Sequence, residues 1–266
     1  MRRAIIEEGH SVQQLVHIYQ LIVRHPAQFY PWRVMFIHGM VSSLSKLGLS
    51  PNASNENRRL ALSIVDLLIK WERRRIEEQE SAQADETTTH PTSPASGMQD
   101  TASPPISPAN QPSSLQSSAS AAVGQALPPS LSRQQNYKLQ PAQIDVVILF
   151  LTRTASAGES ARDPTLMMSL ANTAMRLLRD ALTIWPTATI PAAYIGKLMI
   201  GNTPGQEQAP QAITAGLNLL DTILEHRTES FVSTYLATLD QAMPNILTNN
   251  LKIVEAFGAL LTKLVK

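Results

Sequence analysis

The sequence predicts an all-α protein, an α-solenoid of antiparallel helix pairs of the HEAT-like kind, interrupted by a disordered insert. Three observations predict it. Apolar residues recur at spacings of three and four over most of the chain, the mark of amphipathic helices. Pro, Asn or Gly breaks this pattern repeatedly, leaving helices of about two to six turns on short connections. No convincing stretch alternates apolar with polar residues as a half-buried strand would. The period is loose and there is no exact repeat, so a compact helical bundle is the main alternative. The long insert favours a stacked array, which tolerates an insertion between units.

Val12, Leu15, Val16, Tyr19, Ile22 and Val23 form one apolar stripe on a first helix that must stop before Pro26. A second helix takes Pro31 in its first turn and runs through Phe36, Met40, Leu44 and Leu47 to Gly48. Ser54 caps a third, striped by Leu60, Ile64, Leu67, Leu68 and Trp71. Residues 1–80 thus make a first helical block, and composition changes abruptly at Ser81. The stretch 81–136 holds eight Pro among many Ser, Thr, Ala and Gln, and has too little apolar area to offset the entropy of ordering it. It reads as a disordered linker. Its Ser-Pro pairs at Ser93, Ser103 and Ser107 fit either sites for proline-directed kinases or the chance content of a spacer.

A second block, 137–266, repeats the helical pattern. One helix near 143–155 carries Ile144, Val147, Ile148 and Leu151. The next has Asp163 as N-cap and Pro164 at its first position, bears Leu166, Leu170, Ala174, Leu177 and Leu178, and ends before Pro186. Further helices follow near 191–200, 209–226, 229–242 and 249–265, with stripes that include Ile213, Leu217, Leu220 and Leu224, then Phe231, Tyr235 and Leu239, then Ile253, Phe257, Leu260 and Leu264.

Composition narrows the function classes. Net charge is +1, divided as +3 over 1–80, −2 over 81–136 and zero over 137–266, so no region is basic enough to make nucleic acid the default partner. The absence of Cys excludes disulfides, thiolate nucleophiles and Cys-ligated metals. The longest apolar run, Val146–Leu151, falls far short of the roughly 20 residues that span a bilayer, and no signal-peptide core can be drawn after Met1. No membrane association is expected.

Candidate chemistry is sparse. His10, His17, His25, His38, His90 and His226 form no helical metal motif. His17 and His25 stand about 80° apart around a helix, too far to chelate together. His25 fits a helix end. Gly residues are scattered, with no phosphate-binding loop. Arg73, Arg74 and Arg75 offer a basic run, but Arg73–Glu77 and Arg74–Glu78 are spaced as ion pairs of a solvated helix. Glu7 and Glu8 read as a charged helix end, and Met167, Met168, Met175 and Met199 as core fillers. At the corner 23–40, His25-Pro26 ends one helix and Tyr30-Pro31 starts the next; Phe29, Tyr30 and Trp32 are expected to fill the gap while Arg24 and Arg33 stay solvated. A buried Trp32 would make Trp32→Ala cost about 3 to 5 kcal/mol. No catalytic, cofactor-binding or metal-ligating residue is assigned, and no cofactor is expected.

The stretch from Ile5 to Arg75 closely resembles part of the transformation/transcription domain-associated protein family. The resemblance rests on "EEGH" at Glu7–His10, "QLVHI" at Gln14–Ile18, "LIVRH" at Leu21–His25, "YP" at Tyr30–Pro31, "RRL" at Arg58–Leu60 and "IKWE" at Ile69–Glu72. The second block is similar through "WP" at Trp185–Pro186, "KLM" at Lys197–Met199 and "GLNLLDTIL" at Gly216–Leu224. The resemblance implies a fragment of the HEAT-repeat region of a large nuclear scaffold related to the phosphatidylinositol-3-kinase-like kinases, whose kinase-like domain has lost catalytic residues. It also implies a subunit of histone acetyltransferase complexes of the SAGA type that receives transcription activators, with no catalytic residue to carry over. The 81–136 stretch lacks the basic clusters that vertebrate members have there, so no nuclear-import signal is read in it. Alternatives are the accessory solenoid of an active kinase of the same superfamily, or a nuclear-transport-type helical repeat protein.

Circular dichroism should therefore be dominated by helix, and limited proteolysis should cut first within 81–136. Cleavage spread evenly along the chain would contradict the two-block organisation.

Overall fold

A striped helix must cover its apolar face, and here the helices do so against one another. The computed structural model describes residues 12–87, 137–157, 164–201, 208–226, 228–248 and 250–265. Its regular elements are all helical. They are α1 (Val12–Arg24), α2 (Pro26–Phe29), a 3-10 segment (Tyr30–Met35), α3 (Ile37–Leu44), a π segment (Ser45–Leu49), α4 (Asn55–Thr87), α5 (Pro141–Ser156), α6 (Pro164–Ile184), α7 (Ala192–Ile200), α8 (Pro210–His226), α9 (Thr228–Ile246) and α10 (Leu251–Leu264).

Most starts and stops follow local chemistry. The Ser54 hydroxyl accepts from Asn57 N at 3.2 Å at the start of α4. Gln140 and Gln143 form a reciprocal capping box on α5, which has Pro141 in its first turn. Asn250 accepts from Lys252 N at the start of α10. Gly201, at φ 92°, ends α7 in a conformation that side-chain-bearing residues rarely adopt.

α5 packs on α6 and α7 on α8, and α4, α6, α8 and α10 run side by side in the same direction. Asp66 of α4 meets Arg176 of α6, and Arg73 meets Asp180 further along. Met175 of α6 meets Thr222 of α8, and Arg179 meets Glu225. Lys263, late in α10, meets Asp221 and Glu225, late in α8. In the other layer, Gly196 of α7 faces Thr238 of α9, and Asn245 donates to the Met199 carbonyl at 2.9 Å. Two layers of parallel helices joined by antiparallel turns make an α-solenoid.

The two expected blocks share one core. Buried residues from Tyr19 to Trp71 and from Leu139 to Leu260 form a single apolar cluster. α4 packs along α6, and α3 packs on α5. Buried Thr152 and Thr154 satisfy their hydroxyls on carbonyls four residues back, at 2.8 and 2.9 Å.

Several expectations are corrected. The single helix from Pro31 to Gly48 is instead a 3-10 segment, α3 and a π segment. In the 3-10 segment three residues make a turn, so Tyr30 and Arg33 share one face. That face is the inner one: Tyr30 and Arg33 are buried, Arg33 at 1% exposure, while Trp32 is 49% exposed. Trp32 therefore does not fill the gap, and Arg33 is not solvated. The third helix does not end at 80 but continues through 81–87, the Ser81 hydroxyl donating to the Glu77 carbonyl at 2.8 Å. α9 runs to Ile246, past the expected end at 242, with Pro244 near its C-terminal end. His10, His90, Glu7, Glu8, Asp163, the Ser-Pro pairs and 88–136 lie outside the described residues, as does the side chain of Phe231.

The π segment brings Gly48 against α5. A Cβ there would lie 2.5 and 2.8 Å from the buried Phe150 ring. At Gly216 the nearest atom would be the Met199 Cγ, at 2.6 Å, on a flexible side chain. Urea denaturation should show Gly48→Ala destabilised by about 1 to 3 kcal/mol, and Gly216→Ala by clearly less.

Candidate functional site

The side chains singled out in the sequence do not converge. His17, His25 and His38 are exposed and His226 is half-buried. Among the described residues, no group of three or more His, Asp or Glu is arranged to hold a metal ion. Met167 and Met199 are buried as core fillers, but Met168 is 43% exposed. Arg74 pairs with Glu78 at 2.7 Å, as its spacing predicts. Arg73 instead reaches Asp180 on α6, at 3.9 Å.

Polar chemistry gathers first at the corner where the 3-10 segment meets α4. The Tyr30 ring lies between two guanidinium groups, with Arg33 and Arg74 each 4.1 Å from its centroid. The Tyr30 hydroxyl donates to Glu78 Oε2 at 2.7 Å, and Arg74 Nε donates to Oε1 of the same carboxylate at 2.7 Å. Arg33 Nη1 donates to the Tyr30 carbonyl at 3.1 Å. One turn earlier on α4, the buried Glu72 accepts twice from Arg75, at 2.8 and 3.1 Å. Trp71 Nε1 donates to the Pro26 carbonyl at 3.1 Å. Burial, reinforced by the Glu78 hydrogen bond, pushes the Tyr30 phenol up to about 12. Burial lowers the pKa of Arg33. It also pushes the Glu78 carboxyl up, but hydrogen bonds from Tyr30 and Arg74 outweigh it and hold the group below the usual carboxylate range. Every hydrogen bond in this cluster joins two elements of the chain or two turns of one helix.

A second polar array runs across the parallel layer of α4, α6, α8 and α10. Asp66, Arg176, Asp180 and Arg73 link α4 to α6, while Arg179, Glu225, Lys263 and Asp221 link α6, α8 and α10. The hydrogen bond from Lys263 holds Glu225 below the carboxylate range. Desolvation lowers Lys263, but its two carboxylate partners outweigh this and raise it. Exposed pairs of this kind are each worth less than about 1 kcal/mol.

The array closes one end of a groove of about 860 Å³ between α6 and α8. Asn172 of α6 and Asn218 of α8 stand on its two walls, with Met168 and Leu251 at its rim. A smaller cavity of about 480 Å³ lies between α4, the segment before α5 and the turn after α6, with Trp185 in its wall. Trp185 Nε1 and Asp221 Oδ1 are buried without a hydrogen-bond partner. Asn172 and Asn218 are not among the residues singled out from the sequence. Their signal is a short amide in mid-helix, where its propensity is poor and no cap explains it.

Comparison with known proteins agrees with this architecture. The family model described as the Tra1 HEAT repeat ring region matches residues 1–266. A Dictyostelium discoideum protein named "Probable transcription-associated protein 1" is 30% identical over 99% of this chain, which covers 6% of that relative. The Homo sapiens "Transformation/transcription domain-associated protein" is 28% identical over 99% of this chain and 7% of its own length. The Schizosaccharomyces pombe "SAGA complex/NuA4 acetyltransferase complex subunit Tra1" is 38% identical over 30% of this chain and 2% of its own. The chain thus spans only 6 to 7% of the length of the relatives it matches throughout. No solved structure matches it significantly.

The raised phenol sets a pH dependence. Between about 10 and 12 the folded protein keeps the Tyr30 proton that the unfolded chain releases, so stability falls as pH rises through this window and is untouched at neutral pH. Tyr30→Phe should cost about 0.5 to 1.5 kcal/mol at pH 7 by losing the Glu78 hydrogen bond. It should also flatten the alkaline loss, as read by denaturation midpoints from pH 9 to 11.

Proposed function

The chain belongs to the Tra1 family, whose HEAT repeat ring region it matches along its whole length, and from this premise we propose that it is a non-catalytic scaffold segment of a nuclear transcription coactivator. The whole protein would act as a subunit of SAGA-type and related histone acetyltransferase complexes and receive transcription activators. Its partners are other proteins. Direct nucleic-acid contact is not expected for so balanced a charge, and among the described residues no helix is long and apolar enough to cross a membrane. The relatives named above favour neither an active kinase nor a nuclear-transport protein.

One observation carries the reading: the clustered polar side chains pair with one another, within and between helices, and converge on no catalytic or metal site among the described residues. The Tyr30–Arg33–Arg74–Glu78 cluster fixes the 3-10 segment on α4, and the ion pairs cross from α4 to α6 and from α6 to α8 and α10. Such an arrangement supports holding surfaces at fixed positions for other subunits.

Immunoprecipitation of the tagged full-length protein from nuclear extract tests this. Acetyltransferase-complex subunits should co-purify with the wild type and fall several-fold with Trp71→Ala, which removes a buried indole and its bond to Pro26 and costs about 3 to 5 kcal/mol locally. A wild-type protein that brings down none of those subunits would overturn the scaffold reading.

A further inference from the structure

The groove between α6 and α8 is where the parallel layer is left open. In the second half of these helices, Arg179–Glu225 at 3.5 Å and the Lys263 bridge to Asp221 and Glu225 close the space. Toward their first half the walls part, leaving about 860 Å³. From Met168 to Arg179 the lining follows one face of α6, a length of about 16 Å at 1.5 Å per residue. That accommodates about five residues of an extended chain at 3.3 Å each.

Three features point to what fits there. Asn172 and Asn218 are exposed on opposite walls, and neither side chain is engaged by another described residue. Asn is a poor helix former in mid-helix, so each is locally unfavourable with no structural return inside the chain. A carboxamide offers one acceptor and two donors side by side, which matches the C=O and N–H of a peptide unit. Asp221, also in the lining, is held by Lys263 at 2.7 Å and bounds the groove at its closed end. Met168 supplies an adaptable apolar contact at the rim. A helical occupant would have its backbone groups satisfied internally and could not use the amides. An extended one presents them.

We propose that this groove binds an extended peptide segment of a partner protein, read mainly through its backbone by Asn172 and Asn218. The proposal rests on the scaffold reading and gives that scaffold's partner a chemical form.

The test uses the 266-residue chain and a displayed library of random twelve-residue peptides. Enriched peptides are synthesised with a fluorophore and measured by anisotropy against wild type and N172A/N218A. The Ala replacements favour helix, so the double variant should keep wild-type circular dichroism and melting temperature. Its affinity should fall at least tenfold, and methylation of single peptide N–H groups should weaken binding tenfold at the positions facing the amides. Absence of any enriched peptide, equal binding to the folded double variant, or binders indifferent to N-methylation that depend on side chains at helical spacing would overturn the proposal. Co-purification of acetyltransferase subunits with full-length N172A/N218A is a separate readout: its retention alongside unchanged peptide binding would sink the groove and leave the scaffold standing.

Discussion

A buried guanidinium must be paired, stacked or hydrogen-bonded, and the burial of Arg33 determines how the first part of this chain joins the rest. The side chain is 1% exposed, yet it stays near polar partners: the Tyr30 ring, the Tyr30 carbonyl and the acidic side chains of α4. Those groups come together only if the segment carrying Arg33 turns three residues per revolution and lies against the second half of α4. The 3-10 geometry, the stacking of Arg74 on the other face of Tyr30, and the Trp71 bond to Pro26 all follow from that placement. α4 then carries the consequence forward, because the helix that receives Arg33 also presents Asp66 and Arg73 to α6.

Much of the fold was legible because apolar periodicity is local. The stripes of α1, α4, α5, α6, α8 and α10 put Ile22, Leu68, Ile148, Leu178, Leu220 and Leu260 in the core, and Pro141, Pro164 and Pro210 stand at helix starts. What failed had a change of period or a long-range cause. Reading residues 31–48 with 3.6 residues per turn assigns Trp32 inward and Arg33 outward; at three per turn the two exchange places. Arg73 has a correctly spaced acid at Glu77, but the partner it faces lies 107 positions away in the chain, at Asp180, and no window of local sequence shows that. The composition change at Ser81 suggests the end of structure, although Ser, Ala, Gln and Glu extend a helix readily once its earlier turns are anchored by packing. For the groove, only the low helix propensity of Asn172 and Asn218 was visible. That one wall faces the other depends on the parallel placement of α6 and α8.

The ion pairs across the parallel layer illustrate how weak interactions and strong ones divide the work. Their side chains are mostly a third to two-thirds exposed, so each contributes little to stability in water. The register they decorate is set beneath them by Leu177, Leu178, Leu219 and Leu220, all essentially inaccessible. What the charges add is direction: Asp66 facing Arg176 and Arg73 facing Asp180 favour the observed position of α6 on α4 over one shifted by a turn, where Asp66 would face Asp180 or Arg73 would face Arg176.

The long stretch between α4 and α5 does not divide the core. In a stack, the contact that matters is between spatial neighbours, and α4 is the neighbour of α6 as much as of α3. Joining two elements through several tens of residues costs only logarithmically more than joining them through a few, and α4 and α6 bury Leu67 and Leu178. The groove belongs to the same geometry. Parallel neighbours joined by charge at one end, with small and amide side chains toward the other, leave an opening whose shape is held by the core below and not by whatever enters it. A site formed that way is pre-organised, so an occupant bears most of the ordering cost and the scaffold almost none.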